Sequence, residues 1–139
     1  MKRVWKEVPR DETRAQWAGI YVTMNSKGVI VMNRAAHEQL GRPEAFVLLF
    51  DAANGTIGLK PATLETKNAY PAAKSGTHGG RKLNAYRVLK EYGINVRYTL
   101  YFPDAELDLD GVLLLNLSTA VIPNRVLKHP TRRAATDGN

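Results

Sequence analysis

Cysteine is absent from the 139-residue chain, which removes disulfides, zinc–thiolate centres, iron–sulfur clusters and cysteine nucleophiles from consideration. Long apolar runs are also missing. The longest, Ala45–Phe50 and Gly111–Leu115, fall far short of the roughly 18 residues that a membrane-spanning helix requires. The basic stretch Met1–Pro9 is not followed by the apolar segment that marks a secretory signal. The chain is therefore expected to be soluble and cytoplasmic, with no membrane partner. Catalytic spacing is lacking too: His37, His78 and His129 stand far apart without an HExxH pattern, and each reads as a surface or hydrogen-bonded histidine. Ser26, Ser75 and Ser118 sit in no Gly-x-Ser-x-Gly elbow. The glycine-rich stretch Ser75–Gly80 lacks the Gly-x-x-x-x-Gly-Lys-Ser/Thr order of a phosphate cradle and reads as a mobile connector. No catalytic residue, cofactor or metal site is expected, and the chain does not read as an enzyme.

What is present is a folded composition, 44% hydrophobic and 24% charged, of a length suited to one compact domain or two very small ones. The formal net charge is +7, an electrostatic footprint that suits a polyanionic partner. Residues 1–17 carry five basic and three acidic side chains and residues 124–139 four and one, so the ends hold +5 of this excess and residues 18–123 only +2. These ends read as a basic N-terminal arm and a basic disordered tail. Within residues 18–123 the signs separate: Lys60, Lys67, Lys74, Arg81, Lys82, Arg87, Lys90 and Arg97 face only Glu65 and Glu91, while Asp104, Glu106, Asp108 and Asp110 cluster downstream. The alternation of these four carboxylates would place them on one face of an extended strand, an exposed acidic hairpin face rather than a metal site.

Ile20–Met24, the polar turn Asn25–Gly28 and Val29–Met32 read as a β-hairpin. Asn33 can cap a short helix over Arg34–Leu40, which Gly41 ends. Ala45–Phe50, the turn Asp51–Gly55 and Thr56–Lys60 form a second hairpin, completing a ββαββ unit over 18–62. Residues 63–79 lose apolar periodicity and read as a linker. A second, degenerate unit spans 80–123. Gly80 to Gly93 is a span of 13 residues, as is Gly28 to Gly41. That frame aligns Ala36 with Val88 and Leu40 with Tyr92 as core-facing pairs, with a helix at about 84–92. Strands at Ile94–Phe102 and Gly111–Leu117 complete this internal repeat. In the first of these, Tyr98 and Phe102 share a face and Tyr101 takes the other, so at least one set is expected to be core, which argues against a base-stacking platform built from all three.

Asn25–Gly28 followed by Val29–Met32, the short helix, Leu40-Gly41, and the strands Ala45–Phe50 and Thr56–Lys60 together resemble the AbrB-type swapped-hairpin DNA-binding superfamily, which includes the MazE antitoxins and MraZ. The likeness covers residues 20–62 best, with 75–117 a weaker second copy. It implies an α+β, mainly β fold in which two units interlock their hairpins into a small β-barrel that docks on DNA. Departures are visible. Val29 follows the turn glycine where the family has Arg or Lys, although the second unit has Arg81 there. Asn33 stands in place of the family's proline, and the late-helix basic positions hold His37 and Glu38 in the first unit, Leu89 and Lys90 in the second.

The second unit and the linker are thus the expected contact surface. Lys74, Arg81, Lys82, Arg87 and Lys90 are the candidate nucleic-acid-binding residues, since phosphate contact requires only exposed cations, and Arg87 and Lys90 at i,i+3 share a helix face. Duplex DNA is the expected partner of a transcription-regulator-like protein. The alternative is an antitoxin-like or assembly module whose partner is another protein or a second copy of the chain.

Overall fold

The computed structural model describes Arg3, Trp5 and residues 19–123. The remainder of the arm 1–17 and the tail 124–139 lie outside the described residues. The first hairpin forms as its alternation requires, with β1 (Val22–Met24) and β2 (Val29–Met32) placing Val22, Met24, Ile30 and Met32 fully inward. Helix α1 (Arg34–Gln39) starts where the Asn33 side-chain oxygen accepts from the Ala36 N–H at 3.0 Å. Its exit is sealed by two bonds, Gly41 N–H to Glu38 O and Arg42 N–H to His37 O. The second hairpin, β3 (Ala45–Asp51) and β4 (Thr56–Ala62), pairs through all seven positions of each strand.

Residues 63–79 are more structured than a linker. They contain β5 (Ala69–Pro71), which pairs with β3, and β6 (Ala73–Ser75), which pairs with β7 (Gly80–Asn84). The stretch Ser75–Gly80 is therefore a hairpin turn and not a mobile connector, with Ser75 opposite Gly80. Three-residue edge strands carry too few side chains for a period to show. Helix α2 spans Tyr86–Glu91, and the expected core pair is half right: Val88 and Leu89 are buried, whereas Tyr92 is 49% exposed and lays its ring on Phe50 at 4.4 Å. The long strand expected at Ile94–Phe102 shrinks to β8 (Leu100–Tyr101). Residues 94–98 run irregularly along the core edge, so Tyr98 and Phe102 do not share a strand face. β9 (Glu106–Leu107) and β10 (Leu113–Asn116) close the order. The acidic strand face is likewise absent, because only Glu106 of its four carboxylates lies in a strand and Asp108 instead caps a turn, accepting from the Asp110 and Val112 N–H groups.

The protein is α+β and mainly β, but no closed barrel forms. Two antiparallel five-stranded sheets take its place, sheet A in the order β6-β7-β2-β1-β8 and sheet B in the order β5-β3-β4-β10-β9. Their inner faces share one apolar cluster with the two helices, including Met24, Ile30 and Leu83 from sheet A, Phe46, Ile57, Leu59, Leu113 and Leu115 from sheet B, and Leu40 and Leu89 from the helices. At the centre of each sheet, a strand from before residue 63 pairs with one from after residue 79. Adding 52 carries Val29 to Arg81 and Met32 to Asn84, and the register pairs Val29 with Asn84 and Met32 with Arg81. In sheet B, adding 56 carries Ile57 to Leu113 and Leu59 to Leu115, and Leu113 faces Leu59 while Leu115 faces Ile57. Either pairing is unchanged when its two strands are exchanged.

Candidate nucleic-acid interface

The five sequence-predicted cations do not form one patch. Register makes Lys74 and Arg81 cross-strand neighbours in the row that also holds the inward Met32, whereas Lys82 pairs with Val31 and Ala73 and takes the opposite face of sheet A. Arg87 and Lys90 are exposed on α2, as their spacing predicts. Among the described residues, none of the five forms an ion pair with a carboxylate. Arg81, half-buried, donates from Nη1 to its neighbour's carbonyl at Gly80 (3.2 Å).

Outside the five that the sequence pattern points to, Lys27 lies in the β1–β2 turn and Arg34 and Arg42 lie on α1 and just past its exit. Arg34 Nε and Arg42 Nη2 both donate to Glu38 Oε2, at 2.9 and 3.1 Å. The i,i+4 spacing on either side of Glu38 is the signal that could have found them. The hydrogen bond from Arg34 holds the Glu38 carboxyl below the usual carboxylate range against an opposing desolvation, with Arg42 assisting, and the same hydrogen bond raises the Arg34 guanidinium. The helix exit is braced from below, where buried His37 places Nε2 2.8 Å from the Pro43 carbonyl oxygen, a hydrogen-bonded histidine as expected.

Two clefts flank this ion pair. One, of about 590 Å³, lies between α1 and the β5–β7 segment and is lined by Arg34, Arg42 and Arg81 with Leu64 and Pro71. The other, of about 870 Å³, runs over sheet A from Thr23 and Val31 to the Thr77-His78 turn and is again bounded by Arg34 and Glu38. Beside it Tyr21 and Tyr101 stack at 4.7 Å. Of the aromatics considered for base stacking, Phe102 belongs to the core at 1% exposure, Tyr101 already has a ring partner, and Tyr98 is exposed.

Hairpin turns lock the helix starts across the two halves. Gly28, in the β1–β2 turn at φ +84°, lies so close to α2 that a Cβ would stand 2.8 Å from Tyr86 Cα, and its carbonyl accepts from the Ala85 N–H at 2.7 Å. Gly79, in the β6–β7 turn at φ +89°, lies against α1, where a Cβ would stand 2.8 Å from Arg34 Cδ. Arg34 and Tyr86 are the first residues of their helices, so each turn holds the helix of the other half.

Charge sorts along the chain. Residues 19–34 and 69–90, which hold β1, β2, β6, β7 and α2 up to Lys90 together with β5 of sheet B, carry Lys27, Arg34, Lys74, Arg81, Lys82, Arg87 and Lys90 and no carboxylate, with Glu38 and Glu91 following in α1 and at the end of α2. Residues 35–68 and 91–123 carry Glu38, Glu44, Asp51, Glu65, Glu91, Asp104, Glu106, Asp108 and Asp110 against Arg42, Lys60, Lys67 and Arg97. Among the described residues no cluster of His, Asp and Glu has the geometry of a metal site, and no helix is long and apolar enough to cross a membrane. No family model matches the chain, and neither does any curated protein or solved structure.

Proposed function

We propose that the protein is a DNA-binding, transcription-regulator-like module that docks the sheet A side of the molecule on duplex phosphates. The observation that carries this reading is the charge sorting: β1, β2, β6, β7, their turns and the two helices carry seven cations, Lys27, Arg34, Lys74, Arg81, Lys82, Arg87 and Lys90, against the two carboxylates Glu38 and Glu91. Such a local excess of cations attracts a polyanion to this part of the molecule. The strand orders support a swapped-hairpin reading, in which a degenerate duplication lets the two N-terminal hairpins share one sheet and the two C-terminal hairpins the other. Two such units within one chain would present a quasi-symmetric surface to a duplex.

The test is fluorescence anisotropy with a labelled random-sequence duplex over a salt series. Replacing Lys74, Lys82, Arg87 and Lys90 together by Ala is expected to weaken binding and to flatten the log–log salt dependence by about 0.9 for each phosphate that is no longer neutralised. Binding unchanged by the fourfold substitution would remove this face from the reading. A protein-interaction role draws on the outer side of sheet B, where Leu49 is 43% exposed beside Gly58 and Leu114. A hetero-complex that survives nuclease and high salt, together with no duplex binding, would favour that role.

A further inference from the structure

The Arg34–Glu38–Arg42 arrangement is poorly explained as a stabilising feature. All three side chains are substantially exposed, at 67, 37 and 70%, and exposed ion pairs add little to stability. The backbone there is also unusual: in the turn that ends α1, Arg42 has φ +54°, a region that side chains other than Gly, Asn or Asp seldom enter. A glycine would meet the conformational demand at position 42 more easily, and what arginine adds there is a second guanidinium on the Glu38 oxygen. The first is held in position by its stem, which lies against the Cβ-less Gly79. Both guanidinium groups border the cleft that also contains Arg81, and Arg34 borders the second cleft as well. Two guanidinium groups converging on one carboxylate oxygen offer the donor geometry that a phosphate oxygen accepts.

We propose that Arg34 and Arg42 form a phosphate-binding site that Glu38 occupies in the free protein, so that a backbone phosphate of the bound nucleic acid displaces the carboxylate. The proposal rests on the polyanion reading above for the source of the phosphate, but not for the site itself. Glu38 then acts as a built-in competitor. It weakens non-specific attraction and yields only where a phosphate arrives between the two arginines.

The experiment compares the full chain with Glu38→Gln, Glu44→Gln and Arg42→Gly in duplex binding over a salt series. Glu44 borders the same cleft without a guanidinium partner, so it controls for the change in net charge. Glu38→Gln is expected to bind tighter and to steepen the log–log slope by about 0.9 to 1.8, one or two additional phosphates, while Glu44→Gln changes the slope little. Arg42→Gly is expected to weaken duplex binding while melting no lower than the parent, because the left-handed strain is relieved. Equal gains from the two glutamate variants, or an unaltered slope in Glu38→Gln, would overturn the latch while leaving duplex binding intact. If the parent binds no duplex, the polyanion reading fails, and inorganic phosphate titrated into Glu38→Gln decides the site: movement of the Arg34 and Arg42 Nε–H NMR signals supports it, and static signals overturn it.

Discussion

Gly28 is the residue at which local geometry and tertiary contact coincide most tightly. Its φ of +84° favours glycine, and independently the approach of Tyr86 leaves no room for a methyl group. Gly76 has a similar φ of +72° but open space around it, which separates the two contributions. Gly76→Ala is expected to cost about 1 kcal/mol, the left-handed penalty alone, whereas Gly28→Ala adds a clash against backbone and is expected to cost about 3 kcal/mol. Urea denaturation of the two variants checks the difference, and equal losses would mean that the turn yields to Tyr86 without cost. The turn itself is legible from Asn25–Gly28, whose Asn25 oxygen accepts from the Lys27 and Val29 N–H groups. What that turn holds is not legible, because Tyr86 is distant in sequence and no local pattern encodes the contact.

The two helices are the most readable elements, and their frame is closer than their side chains suggest. Adding 52 carries Arg34–Gln39 onto Tyr86–Glu91, and it carries the terminal bond Arg42 N–H to His37 O onto Ile94 N–H to Leu89 O. Burial follows the frame inside the helices and departs from it at their C-caps. Ala36 and His37 are buried in α1 as Val88 and Leu89 are in α2, but the cap residue Leu40 faces the core whereas Tyr92 turns out onto Phe50. Leu89→Ala is accordingly expected to destabilise by about 2 to 5 kcal/mol, and Tyr92→Ala by about 1 kcal/mol, the order of an aromatic pair at a half-exposed site. Thermal and urea unfolding distinguish them, and the reverse ranking would mean that α2 is rotated about its axis. Strands are legible where both partners are long, as in β3 and β4. They escape notice where pairing is brief: β5 and β6 are too short for a period, and Ile94 and Val96 mimic alternation because an irregular segment also turns apolar side chains toward the core. The cations are visible as types but not by face, since only the register separates Arg81 from Lys82.

For the molecule as a whole, the division suggested by the repeat does not correspond to separable folding units. The centre of sheet A joins β2 to β7 and that of sheet B joins β4 to β10, so each half needs the other to cover the second edge of its central strands and to complete the shared core. Cleavage in the exposed 63–68 connection should therefore leave two fragments that are unfolded alone and recover the parent's circular dichroism on mixing. A fragment that melts cooperatively by itself would contradict this. The charge sorting has the same origin: a sheet assembled from both halves gathers the cations of two distant segments, and sequence distance conceals that they meet in one sheet.

The connection at 63–68 is the covalent tie between two sets of strands that complete each other, and it turns back through the bonds Thr66 N–H to Thr63 O and Ala69 N–H to Thr66 O. A connection too short to make that turn would send each half to a second chain for its missing strands. Every contact of the core would be preserved, but assembly would then follow concentration, and the same surface would be rebuilt twice in a strand-exchanged dimer.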